Sequence, residues 1–312
     1  MFENKKILIT GGTGSLGQAL AKNFLNQNAS VTIFSRDEKK QYDMKKNYPE
    51  CSYVVGDVKN YASIRDAIRD KDIVVHAASL KYVNIGELQP NEYVMTNVLG
   101  TINVINAVLD EKTIEKCVGI STDKACLPIN TYGLTKAVLE KIFIEANTRQ
   151  GEKGNTVFNV ARYGNVVGTN GSVVPFWKER REKGMTIPIT NPDMTRFFFT
   201  IEEAVQLIDY CLTTDAGLII SKAMSSCTLG ELADVMKGDC QLELVGERPG
   251  EKYNESLLSP EEMSKSKKDG DYFIYNPALG AVATKDLPEG YNSSSCERLS
   301  KDQLIEILKD FI

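Results

Sequence analysis

Histidine is nearly missing: His76 is the one copy in 312 residues. A single imidazole supplies no zinc cluster, and no cysteine stands in a C-x-x-C pair to assist it, so the sequence argues against a protein-bound metal. The seven cysteines (Cys51, Cys117, Cys126, Cys211, Cys227, Cys240 and Cys296) are scattered and odd in number, a pattern that suits reduced thiols in a cytosol. No apolar run approaches the roughly 18 residues that span a bilayer. The opening MFENKKILITGG passes directly into a strand, with no targeting pattern ahead of it. The expectation is a cytoplasmic protein without a membrane partner. Long runs of one charge are missing too: the formal net charge is -5, and lysines and arginines are interspersed with acids. Nucleic acid is therefore not an expected partner, and small-molecule chemistry is.

What the chain does have is alternation. Short β-branched runs at 6–10, 30–35, 51–55, 72–77, 117–121 and 157–162 are separated by helix-like stretches near 15–27, 60–69, 91–111 and 133–149. Apolar strands of that length alternating with helices predict an α/β fold: a doubly wound, mostly parallel Rossmann sheet with ligands at the carboxyl ends of its strands. Beyond 165 the rhythm loosens into loops rich in Gly, Asn, Pro and Thr, with helical patterns near 201–213, 228–236 and 299–310. The division expected is a dinucleotide-binding domain over 1–165 and a smaller, mainly substrate-binding lobe over 166–312, whose strands can return to the main sheet. The lysine-rich stretch 263–271 reads as a solvated loop. His76, on an apparent buried strand, reads as a packed residue.

KILITGGTGSLG places Gly11, Gly12, Gly14 and Gly17 between the first strand and a helix. Both Gly12-x-Gly14-x-x-Gly17 and the evenly spaced Gly11, Gly14, Gly17 fit a dinucleotide turn, in which glycines admit a pyrophosphate to a helix N-terminus. The expected cofactor set is Gly11, Thr13, Gly14, Ser15, Leu16 and Gly17 in the turn, then Ser35, Arg36 and Asp37 at the tip of the second strand. Asp57 and Val58 follow the third strand at the adenine. Ala77, Ala78 and Lys81 follow the fourth, and Asn97 lies on the next helix, where tying helix to strand is its plainer role. NAD sites want an acid at the second strand tip; Ser35 followed by Arg36 suits a 2′-phosphate, which favours NADP. The alternative is Arg36 as a surface charge beside Asp37 and Glu38.

Residues 117–136, CVGISTDKACLPINTYGLTK, carry Tyr132-x-x-x-Lys136. Positions i and i+4 share a helix face, which sets the Lys136 ammonium near the Tyr132 phenol. A free phenol titrates at about 10 and a neighbouring cation lowers that by about 1–3 pH units, so the pair makes a proton acceptor. Asp123 and Lys124 form a second proton-handling pair one loop earlier, the alternative being a surface ion pair or a helix cap.

With these motifs the chain resembles the extended short-chain dehydrogenases/reductases over nearly its whole length, Thr122, Tyr132 and Lys136 matching their catalytic triad. STDKA followed by NTYGLTK is similar to the UDP-N-acetylglucosamine 4,6-dehydratases, as are 161–177, 194–198 and 246–252. Tyr132, where retaining members carry methionine, implies the soluble, C5-inverting type. Tyr253-Asn254, where relatives often read Leu-His, and Cys296, where asparagine is common, depart from the pattern.

The resemblance implies an NADP cofactor that is tightly bound and recycled, a UDP-sugar substrate such as UDP-N-acetylglucosamine, and a homo-oligomer. It implies that Tyr132 takes the C4 hydroxyl proton, and that Lys124 removes the C5 proton while Asp123 protonates the departing C6 hydroxyl, the alternative being that these last two roles are exchanged or mixed. Such chemistry requires Lys124 depressed by burial and by Lys136, and Asp123 held protonated. Lys81, Asn165, Val173, Arg196, Arg248 and Glu251 are the implied substrate contacts. Arg162 lies in a similar segment, and for each arginine a structural salt bridge is the alternative. The competing readings are an NADP-dependent nucleotide-sugar 4-epimerase or ketoreductase, which leaves Asp123 and Lys124 without chemistry, and a non-catalytic NADP-binding sensor.

Overall fold

The apolar runs of the first half become six parallel strands: β1 (Lys6–Thr10), β2 (Ser30–Ser35), β3 (Ser52–Val55), β4 (Ile73–His76), β5 (Lys116–Ile120) and β6 (Val157–Ala161). The computed structural model describes residues 1–151, 154–169, 171–278 and 289–312. Every residue of β4 is buried, as expected of a parallel strand with helices on both faces. The sheet runs β6-β5-β4-β1-β2-β3, so strand order reverses between β1 and β4. That switch point opens a crevice at the carboxyl ends of the strands.

Among the described residues three later strands extend the sheet beyond β6 to nine: Ile219–Lys222 in parallel, then Tyr272–Tyr275 and Ser266–Asp269 antiparallel. The last corrects the reading of 263–271 as a loop. It is an edge strand whose Lys267 and Lys268 are exposed, and such lysines guard an open edge against further pairing.

One core packs α1 (Ser15–Leu25) and the helix Ile201–Thr213 against one face of the sheet, through Leu20, Phe24, Leu207 and Ile208. The opposite face holds α3 (Tyr61–Ile68) and the helices Gly100–Asp110 and Thr131–Arg149, through Ile64, Val104, Leu139 and Phe143. A third cluster, around Trp177, Ile189, Phe198, Leu232 and Leu304, lies outside the main sheet. Beside it a short sheet pairs Thr195–Phe199 with Asn165–Val166 and Ser226–Thr228.

The helix α2 (Glu38–Asn47) was not legible as a periodic stretch because its ten residues are mostly charged; Asp37 caps it by accepting from the Lys40 N–H. The stretch read as one helix over 91–111 contains a wide π turn at Val94–Leu99, which carries Asn97. His76 is fully buried, with Nδ1 2.8 Å from Thr10 Oγ1 and Nε2 3.1 Å from Thr101 Oγ1. Burial, helped by the charge of Lys136, pushes its imidazole down to about 3, so it is a neutral packing residue. All seven cysteines are free. Among the described residues no helix is long and apolar enough to cross a membrane, and no group of acids, cysteines and histidine is placed to hold a metal.

Candidate active site

At the end of β1 the chain turns on glycine. Gly11 has φ +67°, and a Cβ there would lie 2.8 Å from the Ala78 main chain, so this residue sets β1 tight against the tail of β4. A Cβ on Gly17 would come within 2.4 Å of Gly12 Cα, which is why α1 can lie on the turn. Gly14, the N-cap of α1, supplies no side-chain cap, and a Cβ there would meet only the Gly11 carbonyl, at 3.3 Å. No N-cap side chain therefore covers the first turn of α1, and the turn fits a dinucleotide pyrophosphate. Thr13 is buried in this turn, and Ser15 and Leu16 open the helix.

Around the turn, Ser35 is buried and receives Gln41 Nε2 on both its carbonyl and its hydroxyl oxygen. Arg36 is half exposed with its guanidinium 3.6 Å from Asp57, while the Asp37 carboxylate is occupied in capping α2. Val58 is buried against Gly100, and its carbonyl accepts from Asn103. Ala77 and Ala78 follow β4, with the Ala78 N–H donating to Thr10 Oγ1. Asn97 is fully buried and bonds both main-chain groups of Leu80 and the Thr135 hydroxyl, a tie between helix and strand. The tie fixes the start of the exposed segment that carries Lys81.

The second cluster begins where β5 ends. Ser121 and Thr122 lead into a single 3₁₀ turn, Asp123–Ala125, and Asn130 then caps the helix Thr131–Arg149 by accepting from the Gly133 N–H at 2.7 Å. Gly133 lets that helix close on the turn, since a Cβ there would lie 2.2 Å from the Lys124 carbonyl oxygen. Lys136 is buried and donates to the Ile120 carbonyl at 2.6 Å. Burial brings its ammonium down to about 7 against the opposing pull of Glu140.

Desolvation raises the Tyr132 phenol to about 12, while the Lys124 charge and a hydrogen bond with Thr122 pull it back. This corrects the expectation for the phenol. Lys136 is turned to a carbonyl, and the cation acting on Tyr132 is Lys124.

Asp123 is fully buried; its Oδ1 accepts from Thr122 Oγ1 and from Lys124 Nζ, both at 3.0 Å. Its Oδ2 has no hydrogen-bond partner, and a Cβ on Gly164 would approach it to 3.1 Å. Lys124 Nζ also lies 3.3 Å from Asn165 Oδ1 and 3.3 Å from Glu255 Oε1. Burial lifts Asp123 above the ordinary carboxyl range; Lys124 opposes this and the Glu255 charge adds to it. For Lys124, burial alone would push the ammonium down, but Asp123 and Glu255 outweigh it and hold the group well above its usual value. The depression expected for Lys124 is therefore overturned. The reasons are Asp123 first and then Glu255, which the motif-by-motif reading missed; its only signal was a second acid in GEKYNE, behind Glu251.

Of the implied substrate contacts, Asn165 reaches Lys124. Arg196 is buried with Glu251, 3.0 Å from its carboxylate, and donates to the Thr195 and Tyr253 carbonyls. The other Glu251 oxygen accepts from the main-chain N–H of Arg248, an exposed residue. Val173 opens the helix Val173–Glu182. Arg162 takes the structural alternative: it is fully buried, bonded twice to Glu140, twice to Glu262 and once to the Leu257 carbonyl.

A family model described as "Polysaccharide biosynthesis protein" matches residues 7–277. A UDP-glucose 4-epimerase of Rickettsia rickettsii is 39% identical over 331 residues, covering 99% of this chain and 96% of that one. A UDP-N-acetylglucosamine 4,6-dehydratase (inverting) of Campylobacter jejuni is 39% identical over 288 residues, covering 90% of this chain and 86% of that one. The solved structure of Pen from Bacillus thuringiensis superposes with a TM-score of 0.93 at 31% identity, covering 99% of this chain and 98% of that one. With the glycine turn and the tyrosine–lysine helix at one end of a Rossmann sheet, the chain belongs to the polysaccharide biosynthesis protein family of extended short-chain dehydrogenases/reductases, enzymes of the nucleotide-sugar dehydratase and epimerase type.

Proposed function

We propose that the protein is an NADP-dependent UDP-N-acetylglucosamine 4,6-dehydratase that inverts C5. The observation that carries this reading is the full burial of Asp123 against Lys124, whose own side chain is 17% exposed, with the lysine charge felt at Tyr132, rather than an ion pair on a solvated loop. A plain epimerase has no use for a second buried acid and base beside the tyrosine, and burying an ion pair without return is costly.

The turn Gly11–Gly17 would hold the cofactor pyrophosphate. Ser35 and Arg36 would hold the adenosine 2′-phosphate, Asp57 and Val58 the adenine, and Tyr132 and Lys136 the nicotinamide side. When bound, the nicotinamide accepts hydride from C4 and returns it to C6. Tyr132 takes the C4 hydroxyl proton, drawn toward ionisation by the Lys124 charge and the Thr122 hydroxyl.

The resulting ketone acidifies C5, and the Asp123–Lys124 pair then works as a unit. With the pair's shared proton on Asp123, Lys124 is a neutral amine that removes the C5 proton, and Asp123 gives its own proton to the C6 hydroxyl, which leaves as water. One proton enters the pair and one departs. A solvent-derived proton would then reach C5 on the opposite face as hydride returns to C6. Over the cycle Tyr132 returns its proton to solvent, and the proton left on Lys124 passes to Asp123, 3.0 Å away, which restores the pair.

Incubation with UDP-N-acetylglucosamine in deuterated water, without added reductant, tests the reading by proton NMR. A new C6 methyl signal, deuterium at C5 and no net NADPH are the expected result. The relatives named UDP-glucose 4-epimerase favour the second reading, for which a C4 epimer without a methyl signal is the expected outcome.

A further inference from the structure

The proton pair has a third ionisable neighbour that arrives from the far end of the chain. Glu255 precedes the strand Ser256–Leu258, is 2% exposed, and has its main-chain N–H donated to Ser293 Oγ at 2.9 Å, so the backbone beneath it is fixed. Its Oε1 lies 3.3 Å from Lys124 Nζ, while its Oε2, 3.7 Å from Lys252 Nζ, makes no hydrogen bond. The buried Arg162 cluster shows what a purely structural set looks like, for there both Glu140 oxygens and both Glu262 oxygens are bonded to the guanidinium. Around Lys124, by contrast, Asp123 and Glu255 each keep one buried oxygen unpaired.

Two carboxyls flank one ammonium, and their surroundings differ. Glu255 is faced by the charges of Lys124, Arg196 and Lys252. Asp123 is faced by Lys124, by the phenol of Tyr132 and by Glu255 itself. Like charges so close disfavour a second anion, and the carboxyl with fewer cations is the one that keeps a proton. We propose that Glu255 is a positioning residue for dehydration: its fixed negative charge, 3.3 Å from Lys124 Nζ, raises the proton affinity of Asp123 and Lys124 alike and so sets the pH range in which the pair holds one proton between them for release of the C6 hydroxyl. This role rests on the dehydratase reading.

The test is the pH profile of kcat for the full-length holoenzyme and for Glu255→Gln, followed by C6 methyl formation. With the anion gone, Asp123 releases its proton more readily and Lys124 loses one of two carboxylates, so both limbs of the bell move to lower pH, by about 1 unit. A change confined to packing lowers the height of the bell without moving its limbs. Lys252→Met, which removes a cation instead, moves the alkaline limb to higher pH and supplies the test if Glu255→Gln does not fold. Limbs that stay in place in the variant that folds overturn the role of Glu255 alone. A wild-type protein that yields only the C4 epimer overturns the dehydratase reading and this role with it.

Discussion

At the carboxyl end of β1 the chain shapes a site with backbone; at the carboxyl end of β5 it shapes one with side chains drawn from several places. Gly11, Gly14 and Gly17 act by what they lack, and their contacts reach no further than the tail of β4 and the start of α1. Lys124, in contrast, is held by Asp123 beside it, by Asn165 after β6 and by Glu255 much later in the chain. The first arrangement survives in any chain that places those glycines between a strand and a helix. The second exists only when the later segments fold back over the sheet.

The largest expected effect separates the two regions directly. Lys124→Ala should lower methyl formation by about 10⁴-fold, the upper end for a positioned acid–base group, while folding and NADP binding stay as in the wild type. Circular dichroism and dinucleotide titration check the second half of that statement, and near-normal methyl formation would reject the role given to Lys124.

Next comes the support of the second region. Arg162→Ala leaves Glu140 and Glu262 as buried unpaired acids, a loss of about 3–5 kcal/mol. Urea denaturation measures it, and a cost within experimental error would mean that the clamp is dispensable.

A smaller change strikes the first region. Gly17→Ala sets a methyl 2.4 Å from Gly12 Cα and should cost about 1–3 kcal/mol, with weaker dinucleotide binding and an unaltered pH profile. If the profile moves as well, the two sites are less separate than their contacts indicate.

The smallest effect concerns one charge at the edge of the first region. On the proposed reading Arg36→Ala should weaken NADP about tenfold, or about 1.4 kcal/mol, and leave NAD unchanged, because the guanidinium would meet only the extra phosphate. Equal weakening of both, read by fluorescence titration, would make Arg36 a surface charge paired with Asp57.

Legibility in the sequence followed the range of the forces involved. The strands β1, β2 and β4 to β6 were readable because burial on both faces demands continuous apolar runs, and β3, a partly exposed strand at one edge of the sheet, by its Tyr53-Val54-Val55 run. The edge strand Ser266–Asp269 hid behind its lysines, since an exposed edge needs charge and so looks like a loop. The helix α2 hid for a related reason: it buries only Gln41 and Met44, too little to impose a period. Arg162 and Arg196 read alike as arginines near substrate loops. Only the fold shows that one is enclosed by two glutamates far apart in the sequence, Glu140 and Glu262, while the other pairs with Glu251 beside the Lys124 cluster.

By itself the sequence determined the parallel sheet, the glycine turn and the single helix that carries both Tyr132 and Lys136, because each depends on neighbours within a few residues or on a simple apolar rhythm. Tertiary structure alone decided which cation acts on the phenol and that Lys124 is charged in the resting pocket. Protonation depends on distance and burial, and the carboxylate of Glu255 reaches Lys124 only after the chain has folded.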